Sequence, residues 1–406
     1  MKISKIKKYL LISSFVFLIS GIRASAQKDV PKRLNDLFTE VVGDPAMHFN
    51  GTVLVAENRH IIYDKSIGFA NIDKKVPNGA STHFQLASLS KVFTAIAVIQ
   101  LTENGRLTLD DPLVKFLPDF PYSAITVRQL LSHTSGLPDF EIFQSYADRN
   151  SNKSLSNRDL IPALIKWGKL VAPPGTRWSY SSVGMGLLAL LVEKISGLSF
   201  PEYVSAYIFK PAGMNNSYVY TPDSPKPDSH LAILYLNPGS SSPVLLSGDT
   251  VRTNPADPIQ RVLGPGLVVS SAEDLLRFSQ AIYDGKLLRD VNQEEMFTPS
   301  KLSNGNVAQL PNAPLYAGLD WGIDIDSSAG KVVSHTGDSP GISTILLLNL
   351  RTHKTVIVLE NTDNRAILPF GVNAMNILND KPLGHFGPIQ GPPSGPPHGH
   401  STSTSP

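Results

Sequence analysis

The 406-residue chain has no cysteine. That absence excludes disulfide frameworks, thiolate zinc sites, iron–sulfur clusters, a cysteine nucleophile and N-terminal lipoprotein attachment. Charge is sparse as well: 17% of residues are charged against 41% hydrophobic, a composition that can fill a large core and excludes wholesale disorder. Beyond the N-terminus no run approaches the roughly 18 apolar residues of a membrane span. No Lys/Arg block interleaved with aromatics is present there either, so nucleic acid and anionic membrane are poor partners. At roughly 150 residues per domain, the length predicts two or three structural units.

What the N-terminus does have is an address. Lys2, Lys5, Lys7 and Lys8 precede an uncharged apolar run from Leu10 to Ile22, followed by Arg23 and the small-x-small triplet Ala24-Ser25-Ala26. This is the layout of a secretory signal peptide (residues 1–26) cleaved before Gln27. As a helix the run spans only about 20 Å, short of a bilayer core of about 30 Å, which argues against an uncleaved anchor. Cleavage removes five positive charges, so the net +2 becomes −3, with 31 basic and 34 acidic residues. The expectation is a bacterial protein, periplasmic or secreted, with no stable membrane insertion after cleavage and no nucleic-acid partner.

The mature chain opens with a helical pattern over 27–44, with Leu34, Leu37, Phe38 and Val41 on one face. Two β-branched runs, 51–57 and 61–70, flank Asn58-Arg59-His60, a hairpin signal. From Ser88 to about Phe297 helical patterns dominate: 88–104 before Gly105, 126–132 behind a capping threonine, 156–170, 182–196 before Gly197, and 271–284 before Gly285. Strand signals return at 331–335, 342–350 and 354–360, and a last helical stretch covers 365–379. Strands at both ends with helices between predict an α/β (α+β) fold. One sheet lobe draws on about 27–80 and 310–383, with a mostly helical lobe, about 81–309, inserted between them. Residues 384–406, rich in Pro, Gly and Ser, read as a disordered tail.

Three short segments carry candidate chemistry. Ala87-Ser88-Leu89-Ser90-Lys91 opens a helical pattern. A serine there sits among free N–H groups at the positive end of the dipole, and Lys91, three residues on, shares its face. Ser88 and Lys91 have the makings of a nucleophile–base pair; the plainer reading is that Ser88 only caps the helix. Trp178-Ser179-Tyr180-Ser181-Ser182 leads into the 182–196 helix. Near a lysine Tyr180 can carry a proton, because positive charge favours the phenolate; the plainer reading is a half-buried tyrosine beside a capping serine. Val333-Ser334-His335-Thr336-Gly337 ends a strand pattern before Gly341 starts another. An exposed edge strand there would lay a substrate beside the nucleophile and offer a backbone N–H to an oxyanion; otherwise His335 is a surface residue at a strand end.

Order and spacing say more than any one segment: Ser-x-x-Lys, then Tyr-x-Ser 92 residues later, then His-Thr-Gly after another 155. Further matches are Leu107-Thr-Leu-Asp-Asp-Pro112, the stretch from Thr126 through Leu131-Ser-His-Thr-Ser-Gly-Leu-Pro138, Pro174-Gly-Thr176, Gly264-Pro-Gly266 and Ser270-Ser-Ala-Glu-Asp274. Together they make the chain, over roughly residues 30–380, resemble the serine β-lactamase-related superfamily. The likeness is greatest to the branch of class C β-lactamases, D-alanyl-D-alanine carboxypeptidases, D-aminopeptidases and related esterases. The resemblance implies a β-lactamase/transpeptidase-like fold: a central antiparallel sheet flanked by helices, an inserted mostly helical lobe, and the site at their junction. It implies Ser88 as acylated nucleophile, with Lys91 and Tyr180 sharing the base and acid roles. Ser182 would stand where the family usually has asparagine, touching Lys91 and the substrate amide. His335 would replace a lysine and polarise Tyr180 or meet a substrate carboxylate. Thr336, Gly337 and Asp338 would complete the substrate-binding strand, with the N–H groups of Ser88 and Asp338 forming the oxyanion hole.

No cofactor and no metal are implied, and the substrate would be a small molecule or short peptide of the kind a cell wall yields. Two departures narrow this. Ser182 has no amide N–H₂ to offer, and histidine is a weaker, pH-dependent cation than lysine, an imidazole titrating at about 6.5. Both turn the expectation from an efficient class C β-lactamase towards peptidase and esterase relatives. Hydrolysis of D-amino acid peptides, small esters or β-lactams remains the substrate range, and specificity is expected from the loops at 140–156 and 218–261. The competing class is a catalytically silent, penicillin-binding-like sensor or interaction module.

Other motifs lead elsewhere. Gly337-Asp-Ser-Pro-Gly341 matches G-x-S-x-G, but a nucleophile elbow needs a helix after the turn, and the apolar run 342–348 predicts a strand, so Ser339 is set aside. His133 invites a Ser–His pairing, yet the resembling family treats its stretch as structural. Asp110-Asp111 reads as a solvated turn before Pro112, and His398 and His400 as part of the tail. No dedicated deacylating glutamate is evident, which leaves Tyr180 or the substrate to activate water.

Overall fold

A computed structural model describes residues 30–44, 49–146, 155–221, 228–236, 244–245, 261–311, 313–326, 328–362 and 367–384. The expected signal segment and the tail beyond Gly384, with His398 and His400, lie outside the described residues. So does much of the two expected specificity loops.

Seven strands form one antiparallel sheet: β1 Gly51–Glu57, β2 His60–Ile67, β3 Tyr316–Ala317, β4 Gly322–Asp326, β5 Gly330–Ser339, β6 Ile342–Asn349 and β7 Lys354–Glu360. Their order across the sheet is β3-β4-β5-β6-β7-β1-β2. β1 pairs with β7 from Gly51 opposite Glu360 to Glu57 opposite Lys354, so the two ends of the chain meet in mid-sheet. Asn58 and Arg59, both left-handed at φ 48° and 72°, make the tight turn between β1 and β2. Sequence reasoning missed β3 and β4. β3 is two residues long, and β4 opens on glycine and interleaves isoleucine with aspartate, so neither presents a β-branched run.

Both faces of the sheet are covered. Val53, Val55, Ile345, Leu347, Val356 and Val358 pack against α1 (Val30–Gly43) and the C-terminal helix Ile367–Leu378. On the other face Leu54, Leu346, Leu348, Ile357 and Leu359 enter the larger core shared with the helical lobe. A strand buried on two sides has no polar face, which is why β6 reads as a continuous apolar run rather than an alternation.

Two helices fill the middle of the helical lobe, α2 (Lys91–Glu103) and α3 (Ser182–Ser196), each apolar around nearly its whole circumference. α3 is capped by Ser181, whose Oγ accepts from the Gly184 N–H at 3.2 Å, and closes at Gly197 with φ 77°. The expected helix from Ser88 is divided: Ala87–Ser90 is a single 3₁₀ turn, and the α-helix proper begins at Lys91. The chain reaches that turn through Ala87 in the left-handed region, φ 46°.

Candidate active site

The 3₁₀ turn bearing Ser88 is held from behind and in front. Behind it, the Leu86 N–H donates to Val268 O (2.9 Å), the Val268 N–H donates to Ser90 Oγ (3.0 Å), and Thr94 Oγ1 donates to Gly264 O (2.8 Å). The Gly264-Pro-Gly motif is therefore a rail along the nucleophile turn. Gly264 has no room for a side chain, since a Cβ there would meet Met185 O at 2.6 Å. In front, Thr344 Oγ1 of β6 donates to Leu86 O at 2.9 Å.

Two polar groups converge on Ser88 Oγ. Lys91 Nζ donates to it at 3.0 Å and the Tyr180 hydroxyl at 2.8 Å. Lys91 is only 1% exposed. Its ammonium also donates to Pro265 O (2.8 Å) and lies 4.9 Å from the centre of the Tyr180 ring. Two hydrogen bonds and the ring contact thus fix the head group. A buried lysine held this way faces the serine with no freedom to turn elsewhere.

Tyr180 sits on a loop fastened to the stretch around His133. The Ser179 N–H donates to His133 O (2.7 Å), the Ser181 N–H to His133 Nδ1 (3.2 Å), and Ser181 Oγ to Pro138 O (2.8 Å). The His133 ring packs on the Tyr180 ring at 4.6 Å between centroids, with Trp178 6.0 Å from each. The Leu131–Pro138 motif, set aside in the sequence as structural, is thus the mount of the tyrosine. His133 itself sits at φ 55°.

β5 supplies the fourth wall, with two corrections. Its strand does not end at His335 but runs on to Ser339. It is also an interior strand by order, not an edge strand. Its C-terminal half nevertheless lacks a strand on one side, because β4 starts at Gly322 opposite Ser334. Among the described residues, the strand partner of His335, Thr336, Gly337 and Asp338 is β6, opposite Leu346, Ile345, Thr344 and Ser343. Gly337 lets this half-open strand lie against the nucleophile turn, since a Cβ there would sit 2.0 Å from Leu86 O. Thr336 and Asp338 are exposed.

Two expected contacts are not made. Ser182 is buried at the start of α3, but among the described residues it forms no hydrogen bond with Lys91; its backbone N–H donates instead to Asp139 Oδ1 at 2.9 Å. The charge facing Lys91 is the Asp139 carboxylate: burial lifts it above the usual carboxylate range, against which the Lys91 charge and the Ser182 N–H pull. Asp139 was missed, although it directly follows the Leu131–Pro138 motif. His335 does not bond to Tyr180. Its Nδ1 donates to Thr336 O at 2.7 Å, and its Nε2 lies 3.5 Å from Asp320 Oδ1. Asp320, also missed, is announced only as a lone acid in the apolar run Gly318-Leu-Asp-Trp321.

Set-aside residues fall as expected. Ser339 ends β5, and a strand follows it rather than a helix. Asp110 and Asp111 diverge: Asp110 takes a two-pronged contact from Arg128 (2.7 and 3.0 Å), while Asp111 accepts from the Thr108 N–H (2.8 Å) and Lys115 (2.9 Å).

Comparison with known proteins agrees with this geometry. Residues 40–368 match the Beta-lactamase family profile. The chain is 37% identical over 334 residues to penicillin-binding protein 4* of Bacillus subtilis (strain 168), a match covering 82% of this chain and 72% of the other. Among solved structures, a penicillin binding protein from Bacillus halodurans superposes with TM-score 0.70 at 29% identity, over 84% of this chain and 98% of that one. D-amino acid amidase from Ochrobactrum anthropi SV3 is similar in fold, with TM-score 0.66 at 23% identity, over 86% and 97% of the two chains.

Proposed function

The chain belongs to the Beta-lactamase family of the serine hydrolase superfamily, and on that premise we propose that it is an exported hydrolase working through an acyl-enzyme on Ser88. The substrates are amides or esters: D-amino acid peptides, small esters or β-lactams. The observation that carries the reading is the convergence of Tyr180 (2.8 Å) and Lys91 (3.0 Å) on Ser88 Oγ. A hydroxyl has one proton to give, so two groups that can exchange protons at that oxygen are a relay rather than a structural hydrogen bond.

In acylation Ser88 Oγ attacks the substrate carbonyl carbon while its proton passes to the Tyr180 oxygen, which in the reactive form is the phenolate paired with the Lys91 ammonium. The carbonyl electron pair moves onto oxygen, where the N–H groups of Ser88 and Asp338 receive it. Collapse expels the amine or alcohol, which takes the proton from Tyr180. Water then attacks the acyl carbon, gives its proton to Tyr180, and the proton returns to Ser88 as the acid leaves. His335, Thr336 and Gly337 line the strand beside which the substrate lies.

Peptide and ester substrates are favoured over β-lactams because Ser182 and His335 stand where class C β-lactamases have asparagine and lysine. The penicillin-binding and amidase relatives point the same way. Export is carried by residues 1–26. Initial rates with nitrocefin, a short-chain aryl ester, a D-Ala-D-Ala peptide and a D-amino acid amide rank the substrate classes. Ser88→Ala is expected to lower the best of these rates by roughly 10³-fold or more; undiminished turnover by that variant refutes the mechanism. A fluorophosphonate adduct on Ser88, seen by intact mass, separates the hydrolase from a silent binding module.

A further inference from the structure

Asp320 does something that the acyl-enzyme mechanism does not use. Its side chain is fully buried, and its backbone is left-handed at φ 68°, a conformation glycine takes without strain and aspartate does not. One oxygen faces two imidazoles: His133 Nε2 at 3.2 Å and His335 Nε2 at 3.5 Å from Oδ1. The second oxygen, Oδ2, has no hydrogen-bond partner among the described residues. A strained, buried carboxylate kept between two histidines calls for a reason beyond packing.

The proton positions follow from the partners. His133 Nδ1 receives the Ser181 N–H, so Nδ1 is the acceptor and Nε2 carries the proton donated to Asp320. That ring is a neutral tautomer. His335 differs: its Nδ1 faces the Thr336 carbonyl, which can only accept, and its Nε2 faces the carboxylate. A proton on each nitrogen satisfies both neighbours, so the arrangement favours the doubly protonated ring. Burial alone would lift the Asp320 carboxyl, but the two histidines outweigh it and hold it below the ordinary range, so it is the matching anion.

We propose that Asp320 is a positioning residue that keeps His335 cationic at the half-open end of β5 and ties that charge, through His133, to the platform under Tyr180. This rests on the hydrolase reading above. The other charged and titratable groups facing the arrangement are Tyr180 on the His133 ring, Lys91 under Tyr180, and Asp139, whose carboxylate feels both Lys91 and His133. Lys91 and Asp139 offset one another, so the charge presented towards substrate by this wall is that of His335. A substrate carboxylate is the group such a cation recognises, and recognition fades as pH rises and the imidazole empties.

The test is Asp320→Asn, which keeps shape and removes charge, with Asp320→Gly as a second variant that also relieves the left-handed strain. Ring-¹⁵N histidine NMR, with signals assigned through His335→Gln, follows the His335 imidazole against pH. Loss of the neighbouring anion is expected to move its titration to lower pH by about one unit or more in both variants. The alkaline limb of kcat/KM for a carboxylate-terminated peptide should move with it, through KM more than kcat. An aryl ester without a carboxylate should change less than about threefold. His335 titrations that coincide in wild type and both variants overturn the proposal. The NMR readout needs no turnover, so a wild-type chain inert to every acylating probe would sink the hydrolase reading without touching the Asp320 result.

Discussion

Glu360 shows how much one buried residue can weigh on this protein. It closes β7 at 1% exposure, with only the Asn50 backbone N–H set against the burial of its carboxyl. Burial pushes its carboxyl well above the usual range. The sign of the linkage follows: between about pH 4, where the unfolded carboxyl titrates, and the raised folded value, the native state binds more protons than the unfolded one. Stability must fall as pH rises through that window. Glu360→Gln removes the slope. Its melting temperature is expected to match wild type near pH 4 and exceed it by a few degrees at pH 8. A wild-type melting curve flat between those pH values would contradict the assignment of a neutral Glu360. The same physics, with partners supplied, makes Asp320 an anion: identical chemistry and opposite charge states, decided by whether histidines are within reach.

Elements matter here through how closely they can approach. β5 lies against the Ser88 turn because Gly337 has no side chain: a Cβ would meet Leu86 O at 2.0 Å and Thr344 Oγ1 at 2.3 Å. Gly337→Ala must push the strand off the turn, since backbone cannot yield as a flexible side chain can. A displacement of about 1 Å in a catalytic site is worth on the order of 100-fold in rate. That loss is expected in acylation by a fluorophosphonate, with circular dichroism unchanged. An alanine variant that labels at the wild-type rate would show that the contact does not set the geometry. On the other flank, two predicted helices gained exact edges from their caps. Ser181 with Gly197 bounds α3, and Thr126 forms a full capping box with Gln129 ahead of Val127–Leu131. Those signals are local and were legible. The division of the Ser88 helix was not, because the turn is pinned by Leu86 and Ser90 to Val268 and by Leu86 to Thr344, all far along the chain.

At the scale of the molecule, the ends of the chain are knotted by asparagines. Asn50 Nδ2 donates to Asn361 Oδ1 at 2.8 Å, and Asn361 Nδ2 donates to Ile233 O (2.8 Å) and Phe69 O (3.1 Å). One side chain thus joins the start of β1, the segment after β2, the stretch near Tyr235 and the end of β7. Asn361→Ala leaves a buried amide and two buried carbonyls without it. The expected cost is about 3 kcal/mol, read as a fall in the urea midpoint with an unchanged slope. An effect under about 0.5 kcal/mol would mean water or rearrangement replaces those bonds.

Sequence alone determined whatever depends on near neighbours: the β1–β2 hairpin, the caps, the two-sided apolar strands, and the choice of Ser88, Lys91, Tyr180 and His335 as the residues to watch. Periodicity, turn chemistry and motif spacing act over a few residues and can be read along the chain. Tertiary structure alone decided that β5 is half-open rather than an edge, and that Asp139 rather than Ser182 answers the charge of Lys91. It also decided that His335 reaches Tyr180 only by way of Asp320 and His133. Asp139 accepts from the Ser182 N–H 43 positions along, and Asp320 meets His133 187 positions back; a bare sequence carries no sign of which distant groups burial will force to share a charge.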